Sequence, residues 1–271
     1  MTTSQKPIGR EPSDDEIRSA LEKTKWGKTF TTEFLQKADE NTRITYLNLP
    51  GYFEMLEGVS DIFMEASDTV GYSNLSNFVT ELLMHRACGN YLASVRLSSS
   101  GQLPESYLQL RACIESALYA FNVYSDPKLA QVWLDRHKDS KSRKESSKQF
   151  KPIFILSKLE QVNQSLERYV KSGYELCIDS GAHPNERSVT TSLSFAGGKM
   201  ALDLFNTTQE GIFRMCLSMC VTCGLDTIKI FNLIYPDDFK KFNAEERIQA
   251  IQAQFQRIAP EVSSKLRSKS P

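Results

Sequence analysis

This sequence has no surplus of charge of either sign. Its 33 lysines and arginines are matched by 33 aspartates and glutamates, so the formal net charge is zero. Proteins dedicated to nucleic acid or to membrane surfaces are usually basic overall. Neutrality argues against such a molecule and leaves room for a local basic patch. Histidine is scarce, with only His85, His137 and His183. There is no Gly-x-Ser-x-Gly elbow and no glycine loop able to cradle phosphates, which removes the common hydrolase and nucleotide-binding signatures. Outside the cysteines of 216–223, no cysteine or histidine pair stands at zinc spacing. The start, MTTSQKPIGREPSDDE, has no apolar run behind a basic stretch. The sequence therefore shows no secretory signal, and a cytoplasmic protein is expected. The most apolar segment, Gly211 to Tyr235, is interrupted by Arg214, Asp226 and Lys229. A charge at the centre of a bilayer costs roughly 2.5–3.5 kcal/mol, so this segment reads as a central core helix rather than a membrane span.

What is present is ordinary globular material. Apolar residues make up 40% of the 271 and charged residues 24%, enough to bury one large core or two small ones. The six cysteines lie in apolar, helix-like segments, and without a secretory signal they read as reduced, buried thiols. Residues 1–12 are polar, with two prolines, and are expected to be disordered. Ser13 to Glu16 forms a capping box, followed by the apolar positions Ile17, Ala20 and Leu21 of a short amphipathic helix. A further helix starts near Thr32, and helical spacing runs from Tyr52 to about Val70. Leu75, Phe78, Val79, Leu82, Ala93 and Leu97 fit one face of a long helix ending at Ser98, with SSSGQLP as a loop. Pro104 suits a helix start, and Tyr107, Leu110, Ile114, Leu118 and Phe121 form the face of that next helix. Asp126-Pro127 restarts a shorter helix through Trp133.

Residues 136–151, RHKDSKSRKESSKQFK, carry seven basic and two acidic residues, a local charge near +5. They read as a mobile linker, solvated or contacting phosphates. Helical pattern resumes from Pro152 to Ser180. The period then changes: Ser188–Ala196 and Lys199–Phe205 alternate around Gly197-Gly198, which signals a hairpin. A last long helix from Thr208 to Tyr235, a final helix to about Ile258, and a polar basic tail over 261–271 complete the chain. The expectation is a single helical domain over 13–260, a mainly α bundle with one small β-hairpin near residues 188–205.

Cys216, Cys220 and Cys223 have the Cys-x3-Cys-x2-Cys spacing of radical S-adenosylmethionine enzymes, whose cluster needs a flexible loop. Here that spacing is i, i+4, i+7 on an apolar helix, so these read as buried structural cysteines, with no metal and no cofactor. His137 lies in the basic segment and reads as solvated. His85, at the edge of an apolar helical face, reads as a satisfied core histidine. His183 stands in SGAHPNER, where Gly181 can cap a helix and Pro184 forbids its continuation. His183 and Asn185 either satisfy the last carbonyls of that helix or belong to a site. At 100° per residue, Arg86 falls within the apolar face of its helix. Arg111 falls on the face made by Tyr107, Ile114 and Leu118, with Glu115 one turn on. A guanidinium on a core-facing stripe must be paired. Arg86, Arg111 and Glu115 therefore read as an internal polar network that fixes helix register or contributes to a binding site with His183.

The run LRACIESALYAFNVYSDPKLAQVWLD, residues 110–135, followed by SGAHPNERSV and a hairpin, resembles a group of uncharacterised bacterial helical proteins related to the HEPN superfamily. The resemblance covers roughly residues 75–235 and rests on Arg111 with Glu115 and on His183-Pro184-Asn185. It implies a helical bundle, often dimeric, whose members include metal-independent ribonucleases of toxin and phage-defence systems and others that only bind nucleotides or partners. The nuclease members carry an arginine four to six residues before a histidine, an arrangement found at none of the three histidines here. His183 and Arg187 are the residues that could stand in for that pair, with Arg111 as a third candidate. The expected function is a non-enzymatic helical binding module of unknown partner. The alternative is a divergent ribonuclease of that superfamily. The Thr208–Tyr235 helix is apolar nearly all round, so either its own neighbours or a second copy must cover it, and a homodimer is expected. RNA or nucleotide contact would fall to residues 136–151. No membrane partner is expected.

Overall fold

The computed structural model describes residues 12–71, 73–182, 186–190, 193–196, 198–207 and 209–267. Helix α1 spans Asp14–Lys23, α2 Phe30–Asn48, α3 Pro50–Thr69, α4 Leu75–Ser100 and α5 Leu103–Ser125. Then follow α6 Leu129–Leu134, α7 Ser140–Gln149, α8 Pro152–Val162, α9 Gln164–Cys177 and the short α10 Glu186–Thr190. After them come α11 Glu210–Ile234, α12 Pro236–Lys240 and α13 Ala244–Arg267. Strands β1 (Leu193–Ala196) and β2 (Lys199–Leu202) pair antiparallel, Leu193 opposite Leu202. The molecule is mainly helical. Ser188–Thr190, expected as strand, lies on α10.

The start signals act as their chemistry dictates. Ser13 accepts from the Glu16 amide while Glu16 reaches back to the Ser13 amide. Asn74 caps α4, and Gly101, at φ 93°, ends it in the left-handed region that glycine enters without strain. The serine run expected as a loop is instead the last turn of α4. Ser98, Ser99 and Ser100 donate back to the carbonyls of Val95, Arg96 and Leu97 at 3.1, 3.1 and 2.9 Å, so their hydroxyls are satisfied although buried. The basic segment differs more. Asp139 caps a helix over Ser140–Gln149, and Ser146 and Phe150 are buried beneath it. It is a docked helix, not a linker. Helix α13 also continues past Ile258 to Arg267.

The core is one contiguous cluster. α4 and α5 form an antiparallel hairpin, pinned where the Ser106 hydroxyl donates to the Ser94 carbonyl at 3.0 Å. α11 lies against α3, α4, α5 and α9. Its Phe213, Leu217, Cys220, Leu225 and Phe231 are all buried within the one chain. By length and composition α11 could cross a membrane, and 61% of its most apolar window is buried here. α2 reaches the α4–α5 elbow through polar stitches: Asn41 donates to the Ser100 carbonyl at 3.0 Å and Thr45 to that of Ser99 at 2.8 Å.

The buried side of α4 is Val79, Leu83, Met84, Ala87 and Tyr91. Leu75, Phe78 and Leu82, expected inside, are 45, 38 and 40% exposed. Arg86 follows them and is exposed. The helix is apolar on two sides, and the sequence pattern alone selected the wrong one.

Candidate functional site

Arg111 and Glu115 do come together. The Arg111 Nε donates to Glu115 Oε1 at 2.9 Å, and the Tyr174 hydroxyl of α9 donates to the same oxygen at 2.9 Å. The guanidinium sits 5.5 Å from the Tyr174 ring centroid, within cation–π range. Burial works against the arginine's charge, but the Glu115 hydrogen bond and charge outweigh it and hold its pKa above the ordinary value. Burial, then Glu115, pushes the Tyr174 hydroxyl up to about 12. The cluster fastens α9 to α5, and Arg86 takes no part in it.

His183 and Asn185 lie outside the described residues. The chain enters that segment through a π turn, Ile178–Ala182. A Cβ added at Gly181 would stand 2.1 Å from the Pro104 carbonyl oxygen, so the turn is seated on the first turn of α5. Pro104 is seven residues from Arg111, about 10 Å along the helix. Arg187 falls on α10, its side chain outside the described set. His85 is exposed on α4, its Nε2 3.6 Å from Glu81, and is not a core histidine. His137 is exposed at the end of a 3₁₀ turn.

Cys216, Cys220 and Cys223 are fully buried, as are the other thiols apart from slight exposure at Cys88. The Cys220 sulfur lies 3.4 Å from the Ser98 hydroxyl and 3.7 Å from that of Ser106. Among the described residues no three His, Cys, Asp or Glu side chains converge as metal ligands would.

The arrangement with the most open chemistry is on α7. Ser140, Arg143, Lys144, Ser147, Lys148 and Lys151 line a groove of about 480 Å³. At 100° per residue all six lie within one side of the helix, and none is acidic. Asp139 is occupied as the N-cap, where the Ser142 amide holds its carboxyl below the usual range. Glu145 points elsewhere and accepts from Gln149 at 2.7 Å. Arg143 to Lys151 is eight residues, about 12 Å of helix. At the groove's end the Lys151 ammonium lies 5.8 Å from the ring centroid of Phe154. Phe154 itself is 54% exposed. A second depression, about 470 Å³ between α2 and the start of α11, contains Lys37 and Arg214. Both are already paired, with Glu40 and Glu210. The charge of 136–151 was legible in the sequence. The groove was not, because it exists only once the segment is a helix.

Comparison with protein-family models, with curated proteins and with solved structures finds no match for this chain.

Proposed function

We propose that the protein is a non-enzymatic helical binding module whose ligand is single-stranded nucleic acid, held by α7 and the start of α8. One observation carries this reading: four cations share one groove with no carboxylate among them, next to an exposed phenylalanine ring. Proteins that bind single strands combine a positive track for phosphates with an aromatic platform for bases. The four cations, over about 12 Å of helix, can meet two or three successive phosphates while Phe154 takes a base. The small size of this patch fits a neutral chain, since a local cluster steers an anion without making the whole molecule basic. The resemblance to the HEPN superfamily points toward the same ligand class, and buried cysteines suit a reducing, cytoplasmic setting.

The test is a fluorescence-anisotropy titration with a labelled oligouridine across a range of salt. Each neutralised phosphate on a single strand contributes a slope of about −0.7 in log K against log salt. Four contacts therefore predict a slope near −3. Lys144→Glu with Lys148→Glu should flatten the slope and abolish binding at moderate salt. Phe154→Ala should weaken binding on the order of 10-fold or more, from stacking worth about 1–3 kcal/mol. Undiminished binding by the charge-reversed protein would sink the reading. Cleavage of the probe, lost in His183→Ala, would turn the binding module into a ribonuclease.

A further inference from the structure

α4 carries an apolar face that no part of the described chain covers. Leu75, Phe78, Leu82 and Leu92 are 45, 38, 40 and 36% exposed. Gly89 lies among them and is exposed as well. Apolar surface continues onto α5 at Leu108, 45% exposed, which lies level with Leu92 because Ser106 is level with Ser94 in this hairpin. Four leucines and a phenylalanine on two adjacent helices form a contiguous patch, not scattered single residues.

Gly89 itself calls for an explanation. Glycine is the poorest helix former after proline, and Gly89 is in the middle of a 26-residue helix. Other helical glycines have reasons inside the chain. A Cβ at Gly51 or Gly58 would meet Ile258 or Ile251 at 3.0 Å, one at Gly173 would meet Cys223 at 3.1 Å, and one at Gly224 would meet Tyr91 at 2.6 Å. A Cβ at Gly89 would meet nothing within 4 Å. The chain's own packing does not require a glycine there. Close approach by something outside the chain does.

We infer that the occupant is a second copy of this chain, seated with its α4 antiparallel on this one. The order of residues along the face supports that choice. Its first half is bulky, with Leu75, Phe78 and Leu82, and its second half contains the small Gly89 and Ala93. A two-fold axis reverses the order in the second helix, so each bulky half lies over the small half of the other copy. Phe78 then packs over the Gly89–Ala93 turn of the second copy, and Leu92 and Leu108 extend the contact at both ends. A different partner would have no need for its target face to be graded in size. Zero net charge sets no long-range repulsion between two copies. Arg86 and Arg96 stay at the solvated rim.

Light scattering on the full chain at micromolar concentration tests this. The expected mass is twice the 30.7 kDa of one chain. Gly89→Trp fills the hollow from outside without touching the chain's own atoms, so it should give a helical protein with the mass of one chain. Leu82→Glu should do the same by placing a charge in the contact. Circular dichroism confirms that each variant is folded, and if Leu82→Glu is not, Gly89→Trp alone decides. A wild-type mass of one chain overturns the inference, as does a folded Gly89→Trp that remains dimeric. Neither result bears on nucleic-acid binding, which is read separately with the oligouridine probe.

Discussion

At the scale of single residues, the clearest polar contact is Arg111 with Glu115 and Tyr174. Both charged side chains are 25% exposed, so water screens part of the interaction. Arg111→Ala leaves Glu115 with the Tyr174 hydroxyl as its remaining described partner. A loss of about 1–2 kcal/mol follows from a charged hydrogen bond so discounted. Melting should fall by roughly 2–4 °C per kcal/mol in a chain of this size. Glu115→Gln should cost less, because the amide oxygen still accepts from Tyr174. An unchanged melt for Arg111→Ala would show the pair to be energetically inert. Asp226 works in the opposite sense. Burial raises its carboxyl from 3.8 to about 6, and Lys229, 3.4 Å away, only partly opposes this. The folded state therefore binds this proton more tightly than the unfolded state. The contribution is fully present below 3.8 and is lost as pH rises through about 6. Above that pH the ionised carboxylate weakens the fold by about 3 kcal/mol at most. Asp226→Asn should raise the melting temperature at about pH 7 and leave it unchanged at about pH 4. Equal shifts at both would show that the carboxylate's charge is not what matters.

At the scale of elements, α11 approaches α3 and α4 most closely at Gly224. A Cβ there would stand 2.6 Å from a Tyr91 ring carbon and 2.7 Å from a Val59 methyl, and both neighbours are fully buried. Gly224→Ala should therefore destabilise by about 1–3 kcal/mol, despite alanine's better helix propensity, as read by urea unfolding. A variant as stable as its parent would mean that α3 and α4 can part. The same elements show how far the sequence could be read. Helix starts were legible at Ser13 and Pro104 because caps and proline act locally. The face of α4 was not, because Leu75, Phe78 and Leu82 form as good a stripe as Val79, Leu83 and Ala87, and periodicity cannot choose between two apolar sides. α7 was missed for the opposite reason. It has almost no apolar period, and it is held by the Asp139 cap and by Ser146 and Phe150 packing beneath it. Arg111 with Glu115 was legible because both lie on one helix, four residues apart. Tyr174 was not, since only the fold brings α9 to it.

At the scale of the whole molecule, the proposed functions fall on separate surfaces. The α7 groove belongs to the α6–α8 region, and the uncovered face belongs to the α4–α5 hairpin. The argument for a second copy has moved accordingly. α11, apolar nearly all round, is covered by its own chain, and α4 is the helix with an apolar side left over. The molecule is also uneven in how firmly its parts are held. α2 buries only Ala38, Asn41 and Thr45, and two of these are joined by hydrogen bonds to carbonyls at the α4–α5 elbow. If α2 lifts away, water replaces those bonds at little net cost, and hardly any apolar surface is lost from the core. The first 48 residues are then a separate cooperative unit, with a lower opening free energy than the bundle behind it. A clasp of this kind can be cut or exchanged while the remaining helices stay folded.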